Sequence, residues 1–400
     1  MKNKRPFTEE LTPRQILEID ACTQCGECLK HCPVQDVTGN PTVSPPEKIR
    51  MFREFIRASE GLKALLFGPG EVNRRLLEDF TRAVYECTTC GACGQSCPVG
   101  IFTQRLWPML RKEMVKRGLG PIGVQANMPK AIQNSGNPYE KPAGERYKPW
   151  FPEQVKVAER ADIAYYAGCT GAYEAQPMVR GDVLVLDAIG EPFTMLAPED
   201  EVCCGFPLFI TGQHDLLRDL TRKLVEEYKA KGVKVLVCSC PCCVNIMARD
   251  WPALYGRELP FTIRHITQYV VDGIKSGKLR LSKELHESVI YHDPCYLSRG
   301  VGVIEEPRNV LKSIPGLALL EFEQHGLNSR CCGSGGAARK VYHENAIAMG
   351  RLTIDEAVAK KADRLILSCP ACYAKVNEAM QGHKNQIRIT DIMELVSELI

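Results

Sequence analysis

The chain of 400 residues contains twenty cysteines, and eighteen of them fall into four regularly spaced arrays. Thiolates at such spacings bind metals, and the chain is too long for the disulfide framework of a small secreted domain. Two of the arrays have the pattern C-x2-C-x2-C-x3-C-P. They consist of Cys22, Cys25, Cys28, Cys32 and Pro33, and of Cys87, Cys90, Cys93, Cys97 and Pro98.

In this pattern three cysteines of one tight loop bind irons of one cubane, and the fourth reaches the other cluster in two-cluster ferredoxins. The spacing therefore predicts two cubane [4Fe–4S] clusters. The ligands of cluster 1 are Cys22, Cys25, Cys28 and Cys97, and those of cluster 2 are Cys87, Cys90, Cys93 and Cys32. Structural zinc is the alternative, but it favours two C-x-x-C pairs around one ion over three evenly spaced cysteines plus a fourth.

The other two arrays have five cysteines each and repeat with closely similar spacing. They consist of Cys169, Cys203, Cys204, Cys240 and Cys243, and of Cys295, Cys331, Cys332, Cys369 and Cys372. Adjacent cysteines cannot easily bind the same iron, whereas they suit a distorted cluster in which one sulfur bridges two metals. The alternative is buried, inert cysteine. We expect such packing for the two remaining cysteines, Cys238 and Cys242, although Cys242 could contact the first five-cysteine array.

The elements that must position these cysteines differ along the chain. Residues 1–118 carry helical signals, such as Thr12 with Pro13 at a helix start, and the Gly-, Pro- and Asn-rich residues 119–158 predict a surface linker. Residues 159–280 and 281–400 form a repeat of alternating strands and helices. Strands are predicted at 163–167, 233–237, 289–292 and 364–367, and helices at 216–230 and 346–361. This alternation predicts an α/β fold with mainly parallel sheets, following an all-α domain, with ligand sites at the carboxyl ends of the strands.

Both five-cysteine arrays match the pattern C-x(31–39)-C-C-x(35–36)-C-x-x-C and resemble the cysteine-rich (CCG) domain of heterodisulfide reductases. The two loops ahead of them resemble the helical ferredoxin domain of respiratory iron–sulfur subunits. The whole arrangement resembles the D-type subunit of heterodisulfide reductase, particularly at 21–33, 86–98, 291–295 and 331–336. The resemblance implies two pseudo-twofold related CCG repeats, each with a noncubane [4Fe–4S] cluster, and reduction of a disulfide to two thiols between them.

The resemblance also implies an electron donor, which is a membrane b-type cytochrome subunit or another redox protein. In methanogenesis the expected substrate is the mixed disulfide of coenzymes M and B. His292, shortly before Cys295, is a candidate proton donor, and a bond from its ring to the backbone is the other interpretation. The alternative function is electron transfer alone, in an iron–sulfur subunit of a membrane redox complex or of a 2-hydroxyacid or glycerol-3-phosphate dehydrogenase.

Charge and hydropathy exclude other classes of protein. The formal net charge of +3 lacks the clustered basic excess of nucleic-acid-binding proteins. No apolar run has the length of a membrane-spanning helix, and the first residues do not form a secretory signal. The sequence therefore predicts a cytoplasmic protein that is peripheral at a membrane through a partner protein.

Overall fold

The structure is a computed structural model, and it describes residues 5–400. The chain forms two compact units. The first comprises the chain up to Ala126 with Pro207–His214 and Gly333–Met349, and the second comprises Asn127–Phe206, Asp215–Cys332 and Gly350–Ile400. The first unit therefore includes one short segment from each five-cysteine repeat. The domain bounds at 118, 158 and 280 stay a prediction.

The N-terminal part of the first unit is helical, as the sequence predicts. Its α-helices are α1 (Pro13–Ala21), α2 (Pro33–Thr38), α3 (Pro45–Glu60), α4 (Leu62–Phe67), α5 (Arg74–Glu86), α6 (Ala92–Gln95) and α7 (Thr103–Lys116). The predicted start of α1 is confirmed, because the side chains of Thr12 and Gln15 each accept a hydrogen bond from the other's backbone N–H. The core of this part contains the rings of Phe7, Phe52, Phe55 and Phe80.

A buried arginine of α7 connects distant parts of the first unit. The guanidinium of Arg111 donates to the carbonyls of Val84, at 2.7 and 2.9 Å, and of Cys87, at 2.5 Å, where α5 leads into the second cysteine loop. It also donates to the carbonyls of Ile210 at 2.8 Å and Gly336 at 2.7 Å, one in each segment from the repeats. Arg111 is 0% exposed. A buried charge is costly without hydrogen-bond partners, and these carbonyls stabilise the buried guanidinium by accepting its hydrogen bonds.

Residues 119–158, predicted as a surface linker, have local structure and buried side chains of their own. They contain α8 (Met128–Ser135), and they bury the side chains of Asn137, Arg146 and Trp150. Trp150 belongs to the hydrophobic core of the second unit, and the amide of Asn137 closes a turn by donating to the Lys141 carbonyl at 2.8 Å. Single buried residues in an irregular segment produce no periodicity, so the sequence does not indicate them.

The second unit contains two parallel four-stranded sheets, which confirms the predicted α/β class. The first sheet has the order β2-β1-β3-β4 and the second the order β6-β5-β7-β8. The strands are β1 (Ile163–Tyr166), β2 (Phe193–Thr194), β3 (Val235–Cys238), β4 (Thr262–His265), β5 (Ser288–Tyr291), β6 (Ala318–Glu321), β7 (Arg364–Leu367) and β8 (Arg388–Asp391). The predicted strands correspond to β1, β3, β5 and β7, the central pair of each sheet. The outer strands are short or half polar and give no clear signal in the sequence.

The two repeats share one hydrophobic core, and helices alternate with their strands along the chain. The helices are α9 (Gly168–Glu174), α10 (Gln176–Ile189), α11 (Phe206–Thr211), α12 (Leu217–Ala230), α13 (Pro241–Arg249), α14 (Trp251–Tyr255), α15 (Ile266–Lys275), α16 (Cys295–Val301), α17 (Glu305–Lys312), α18 (His343–Ala359), α19 (Pro370–Met380) and α20 (Ile392–Leu399). The predicted helices at 216–230 and 346–361 correspond to α12 and α18. None of the helices in residues 5–400 is long and apolar enough to cross a bilayer.

Two buried carboxyl groups lie where α10 of one repeat packs against α20 of the other. Asp182 accepts from the hydroxyl of Tyr165 at 2.6 Å and from that of Ser239, and Asp391 caps α20 by accepting from the Met393 backbone at 2.7 Å. Burial raises the pKa of Asp182 to about 7 in spite of its hydrogen bonds, and burial together with the Asp182 charge raises the pKa of Asp391. Both carboxyl groups therefore lose their protons at a higher pH than an ordinary aspartate.

Replacing Arg111 tests whether this cation organises the first unit. We expect Arg111→Met to lower the free energy of unfolding by about 3–5 kcal/mol, because several buried carbonyls lose their donor. Arg111→Lys keeps the charge with fewer donors and should recover part of the loss. Anaerobic denaturant unfolding measures both. Lys116→Met, on the same helix with its ammonium paired to Glu10, is the control and should cost less than about 1 kcal/mol. Equal losses in Arg111→Met and Lys116→Met would contradict the assignment.

Asp182→Asn should remove a pH dependence of stability. The folded-state pKa of Asp182 lies above the unfolded value of about 3.9, so the folded chain loses stability as the pH rises from about 4 to about 7. Across this range the free energy of unfolding of the asparagine variant should rise relative to that of the native chain, by up to about 4 kcal/mol. The difference in Tm between the two proteins, measured at several pH values, checks this. A difference that does not change with pH would show that the carboxyl group is not the titrating group.

Candidate functional site

Both four-cysteine loops of the first unit begin at a helix end and reverse at a glycine. Cys22 and Cys87 follow the last residues of α1 and α5 and cap them. Gly26 and Gly91 then adopt left-handed conformations, with φ of 82° and 79°, which bring the third cysteine back toward the first. A Cβ on Gly91 would lie 3.2 Å from the side chain of Gln104, closer than an ordinary van der Waals contact, so Gln104 would have to shift to admit it.

The first loop and the last cysteine of the second loop surround one cavity. It opens to solvent and is lined by Cys22, Cys25, Cys28 and Cys97, with Cys93 beside them. Burial and the neighbouring thiols raise the pKa of Cys28 to about 12. Crowded thiols of this kind become thiolates when a cationic metal group binds them. The cavity and its donors therefore fit a multi-atom cluster, and their assignment as the ligands of cluster 1 stays a proposal.

The thiols expected to hold cluster 2 are more deeply buried. Cys32, Cys87, Cys90 and Cys93 are 6–8% exposed, and Cys32 interacts electrostatically with Cys87 and Cys90. Lys48 of α3 lies among these thiols and hydrogen-bonds to Cys87. Burial raises the pKa of Cys32 to about 11, and the Lys48 charge opposes this rise. The structure thus brings the four residues together, with Cys32, Cys87 and Cys93 against a cation that thiolates would neutralise. Their role as ligands stays a proposal.

In the second unit, the cysteines of the repeats lie at the carboxyl ends of central strands. Cys169 and Cys240 come shortly after β1 and β3, and Cys295 and Cys369 come shortly after β5 and β7. This is the predicted place for a ligand site in a parallel sheet. All ten thiols of the two arrays are at most 8% exposed. Across residues 5–400, no three or more His, Cys, Asp or Glu side chains are arranged to hold a single metal ion.

Direct contacts connect the thiols of the first array. Cys169 hydrogen-bonds to Cys203, which in turn hydrogen-bonds to Cys204. The sulfur of Cys204 lies 3.3 Å from that of Cys243, and Cys243 hydrogen-bonds to Cys240. The five sulfurs thus form one continuous group, in which neighbouring thiols can share the metals of a cluster.

The second array has equivalent contacts and meets the first. The sulfur of Cys332 lies 3.0 Å from that of Cys372, and Cys372 hydrogen-bonds to Cys369. Cys369 also hydrogen-bonds to Cys240, so the two arrays are in contact at the first cysteine of each C-P-x-C turn. Because Cys240 accepts hydrogen bonds from Cys242, Cys243 and Cys369, its pKa lies well below the ordinary value.

The two cysteines outside the arrays differ from each other. Cys238 is buried in β3, and its thiol lies 3.7 Å from the sulfur of Met247, which agrees with the packing role expected for it. Cys242 hydrogen-bonds to Cys240 and so contacts the first array, which is the second possibility that the sequence left open.

The backbone holds the ring of His292. Nε2 lies 3.2 Å from the carbonyl of Arg330, and the ring packs edge-on against Phe322. Burial lowers the pKa of His292, so the ring is neutral, with its proton on the nitrogen that donates to Arg330. These contacts favour the interpretation that the ring of His292 hydrogen-bonds to the backbone over the interpretation that it donates a proton to a substrate.

A buried ion pair beside Cys169 has no signal in the sequence. Arg146 and Glu201 are buried and lie 3.1 Å apart, and Nη2 of Arg146 lies 3.8 Å from the sulfur of Cys169. Glu201 also accepts from the Gly168 backbone at 3.0 Å and from the Tyr147 hydroxyl at 2.7 Å. The pair places a positive charge against the first thiol of the array. Arg146 lies in an irregular segment where periodicity marks no residue as buried.

Arg146→Met should destabilise the chain by about 3–5 kcal/mol, because it leaves the carboxylate of Glu201 buried without its partner. Adding Glu201→Gln should recover part of the loss by removing that charge. Anaerobic unfolding measures both variants. Arg264→Met, which breaks the more exposed pair with Asp272, is the control, with an expected loss below about 1 kcal/mol. Additive losses from Arg146→Met and Glu201→Gln would show that the two residues do not act as a pair.

Two protein-family models match the chain in the regions of the four arrays. The 4Fe–4S dicluster domain matches residues 18–101, and the cysteine-rich (CCG) domain matches residues 163–248 and 289–377. These ranges include all eighteen cysteines of the arrays, so the protein is an iron–sulfur protein. A solved structure of a hypothetical protein from Helicobacter pylori superposes with a TM-score of 0.54 at 10% identity, covering 97% of this chain and 74% of that one, and this likeness concerns the fold alone.

Curated relatives match the chain over nearly its whole length. The D-type subunit of the dihydromethanophenazine:CoB–CoM heterodisulfide reductase of Methanosarcina barkeri is 40% identical, over 98% of this chain and 97% of that protein. Its counterpart from Methanosarcina mazei is also 40% identical, over 100% of this chain and 99% of that protein. The chain therefore belongs to the family of D-type heterodisulfide reductase subunits and is an iron–sulfur oxidoreductase subunit of that type.

Proposed function

We propose that the chain reduces a disulfide to two thiols where its two CCG repeats meet. The observation that carries this proposal is the contact between Cys240 and Cys369, which joins two complete five-cysteine arrays. Each array is proposed to hold one noncubane [4Fe–4S] cluster, and the two loops of the first unit hold the cubane clusters 1 and 2. When bound, these clusters would supply single electrons and iron atoms that accept thiolates.

The chain favours negative charge on the sulfur of Cys240 at this contact, while the pKa of Cys369 is raised because its thiol donates a hydrogen bond to Cys240. Cys240 and Cys369 cap α13 and α19, and each helix begins with a proline. The free N–H groups and the dipole of a helix N-terminus stabilise an adjacent anion, and they lower the pKa of cysteines placed there. Cleavage of an S–S bond by two electrons produces two thiolates, which two protons convert to thiols. Two helix N-termini at the meeting point of the arrays suit such products.

The names of the relatives suggest the substrate and the donor. The two Methanosarcina proteins are named for the CoB–CoM heterodisulfide and for dihydromethanophenazine. We extend this to the present chain and propose a mixed disulfide of the CoM-S-S-CoB type as its substrate. We further propose that the chain works in a complex of redox subunits. There a membrane b-type cytochrome would supply the electrons and hold the chain at the cytoplasmic side of the membrane.

Disulfide reduction by the anaerobically purified chain tests the proposal, with a reduced one-electron dye as donor in place of the partner. We expect turnover of the CoM-S-S-CoB disulfide. Cys240→Ser and Cys369→Ser should lower kcat/KM by about 100-fold or more, because each removes a proposed ligand at the contact. Cys238→Ser is the matched control, since Cys238 is also buried but contacts Met247. It should stay within about twofold of the native chain.

Iron content and spectroscopy distinguish this function from electron transfer alone. Four [4Fe–4S] clusters require about sixteen irons per chain, and the half-oxidised protein should show a paramagnetic signal that depends on added thiol. A fully loaded chain that exchanges electrons with dyes, shows no such signal and reduces no disulfide would act as an electron carrier instead.

A further inference from the structure

Lys48 is a buried lysine of the first unit, and its charge points into the thiols expected to hold cluster 2. Its side chain is 1% exposed, and its ammonium lies 4.7 Å from the ring centroid of Trp107. It hydrogen-bonds to Cys87 and interacts with the charges of Cys32 and Cys93. A lysine in this position is unusual, because long charged side chains at the surface normally keep the ammonium in water.

These thiols, when they are thiolates, stabilise the buried ammonium of Lys48. Burying an ammonium costs several kcal/mol unless an anion lies beside it. Glu86 is close enough to interact with Lys48, and its carboxyl accepts a hydrogen bond from Asn345 at 2.7 Å. The aromatic face of Trp107 contributes a weaker cation–π attraction. Lys48 hydrogen-bonds to Cys87, so thiolates of the cluster 2 set are anions that stabilise its charge directly.

The set expected to hold cluster 1 has a different environment. Cys25 is exposed, and Cys22, Cys28 and Cys97 are partly exposed around a cavity open to solvent. A cation beside this set is the half-buried Arg53, whose guanidinium donates to the Cys22 carbonyl at 2.7 Å. Water and salt screen charges in such a setting far more than in the interior. The two sets thus differ in burial and in the charge against their sulfurs.

We propose that Lys48 is a positioning residue that raises the reduction potential of the cluster 2 set above that of the cluster 1 set. The inference rests on the proposed ligand sets and adds a direction of electron transfer to them. One-electron reduction adds one negative charge without making or breaking a bond. A fixed positive charge in a low-dielectric site stabilises the reduced state in particular. Electrons therefore enter at the exposed cysteines and pass to the buried ones.

The test is a redox titration of the loaded, full-length chain followed by EPR, which gives a potential for each set. Cys25→Ser identifies the signal of the exposed set, because it alters a proposed ligand there alone. In the native chain the buried set should be reduced at the higher potential. Lys48→Met should lower the equilibrium constant for electron transfer from the exposed to the buried set at least about tenfold, which is about 59 mV for one electron. The potential of the exposed set should stay unchanged.

Two further variants complete the test. Lys48→Arg keeps the charge and should keep the potential of the buried set near its native value. Lys30→Met is the matched control, since Lys30 belongs to the first cysteine loop but is 73% exposed, and it should leave both potentials unchanged. A native chain in which the exposed set is reduced first would overturn the proposal. So would a Lys48→Met variant with native iron content and an unchanged potential. A failure to reduce disulfides with these potentials as expected would count against the proposed function and not against Lys48.

Discussion

The first unit depends on the solvation of one buried cation by backbone carbonyls. Arg111 donates to the end of α5, to the start of the second cysteine loop, and to one residue in each segment contributed by the repeats. Guanidinium offers five donors in a rigid plane, so one side chain can bind several carbonyls at once. The carbonyl of Cys87 has its place because of this group, and the geometry of the second loop follows from it.

Close backbone contacts reinforce this arrangement. A Cβ on Gly335 would lie 2.3 Å from the Thr88 carbonyl, and one on Gly336 would lie 2.4 Å from the Cys87 carbonyl. The segment Gly333–Met349 therefore lies directly against the second cysteine loop with no side chain between them. Glycine is required at these positions because two main chains pass at a distance that no other residue allows.

The sequence predicts the parts of this protein whose information is local. The C-x-x-C spacings place the loops, Thr12 and Pro13 mark a helix start, and continuous apolar runs mark β1, β3, β5 and β7. Arg111, Lys48 and Arg146 escape prediction because the burial of a charged side chain depends on contacts with residues far away in the chain. The contact of Cys240 with Cys369 is likewise a property of how two repeats pack, and spacing within one repeat carries no trace of it.

The composition of the first unit from three separate stretches of chain has a consequence for biosynthesis. When the ribosome has released the residues up to Ala126, Arg111 still lacks its acceptors at Ile210 and Gly336. The unit is complete only after Met349 has emerged, when most of the second unit has also been made. The second cysteine loop thus reaches its final backbone conformation late in synthesis. Iron and sulfide delivered to the nascent chain before that point would meet a loop that is not yet held in place.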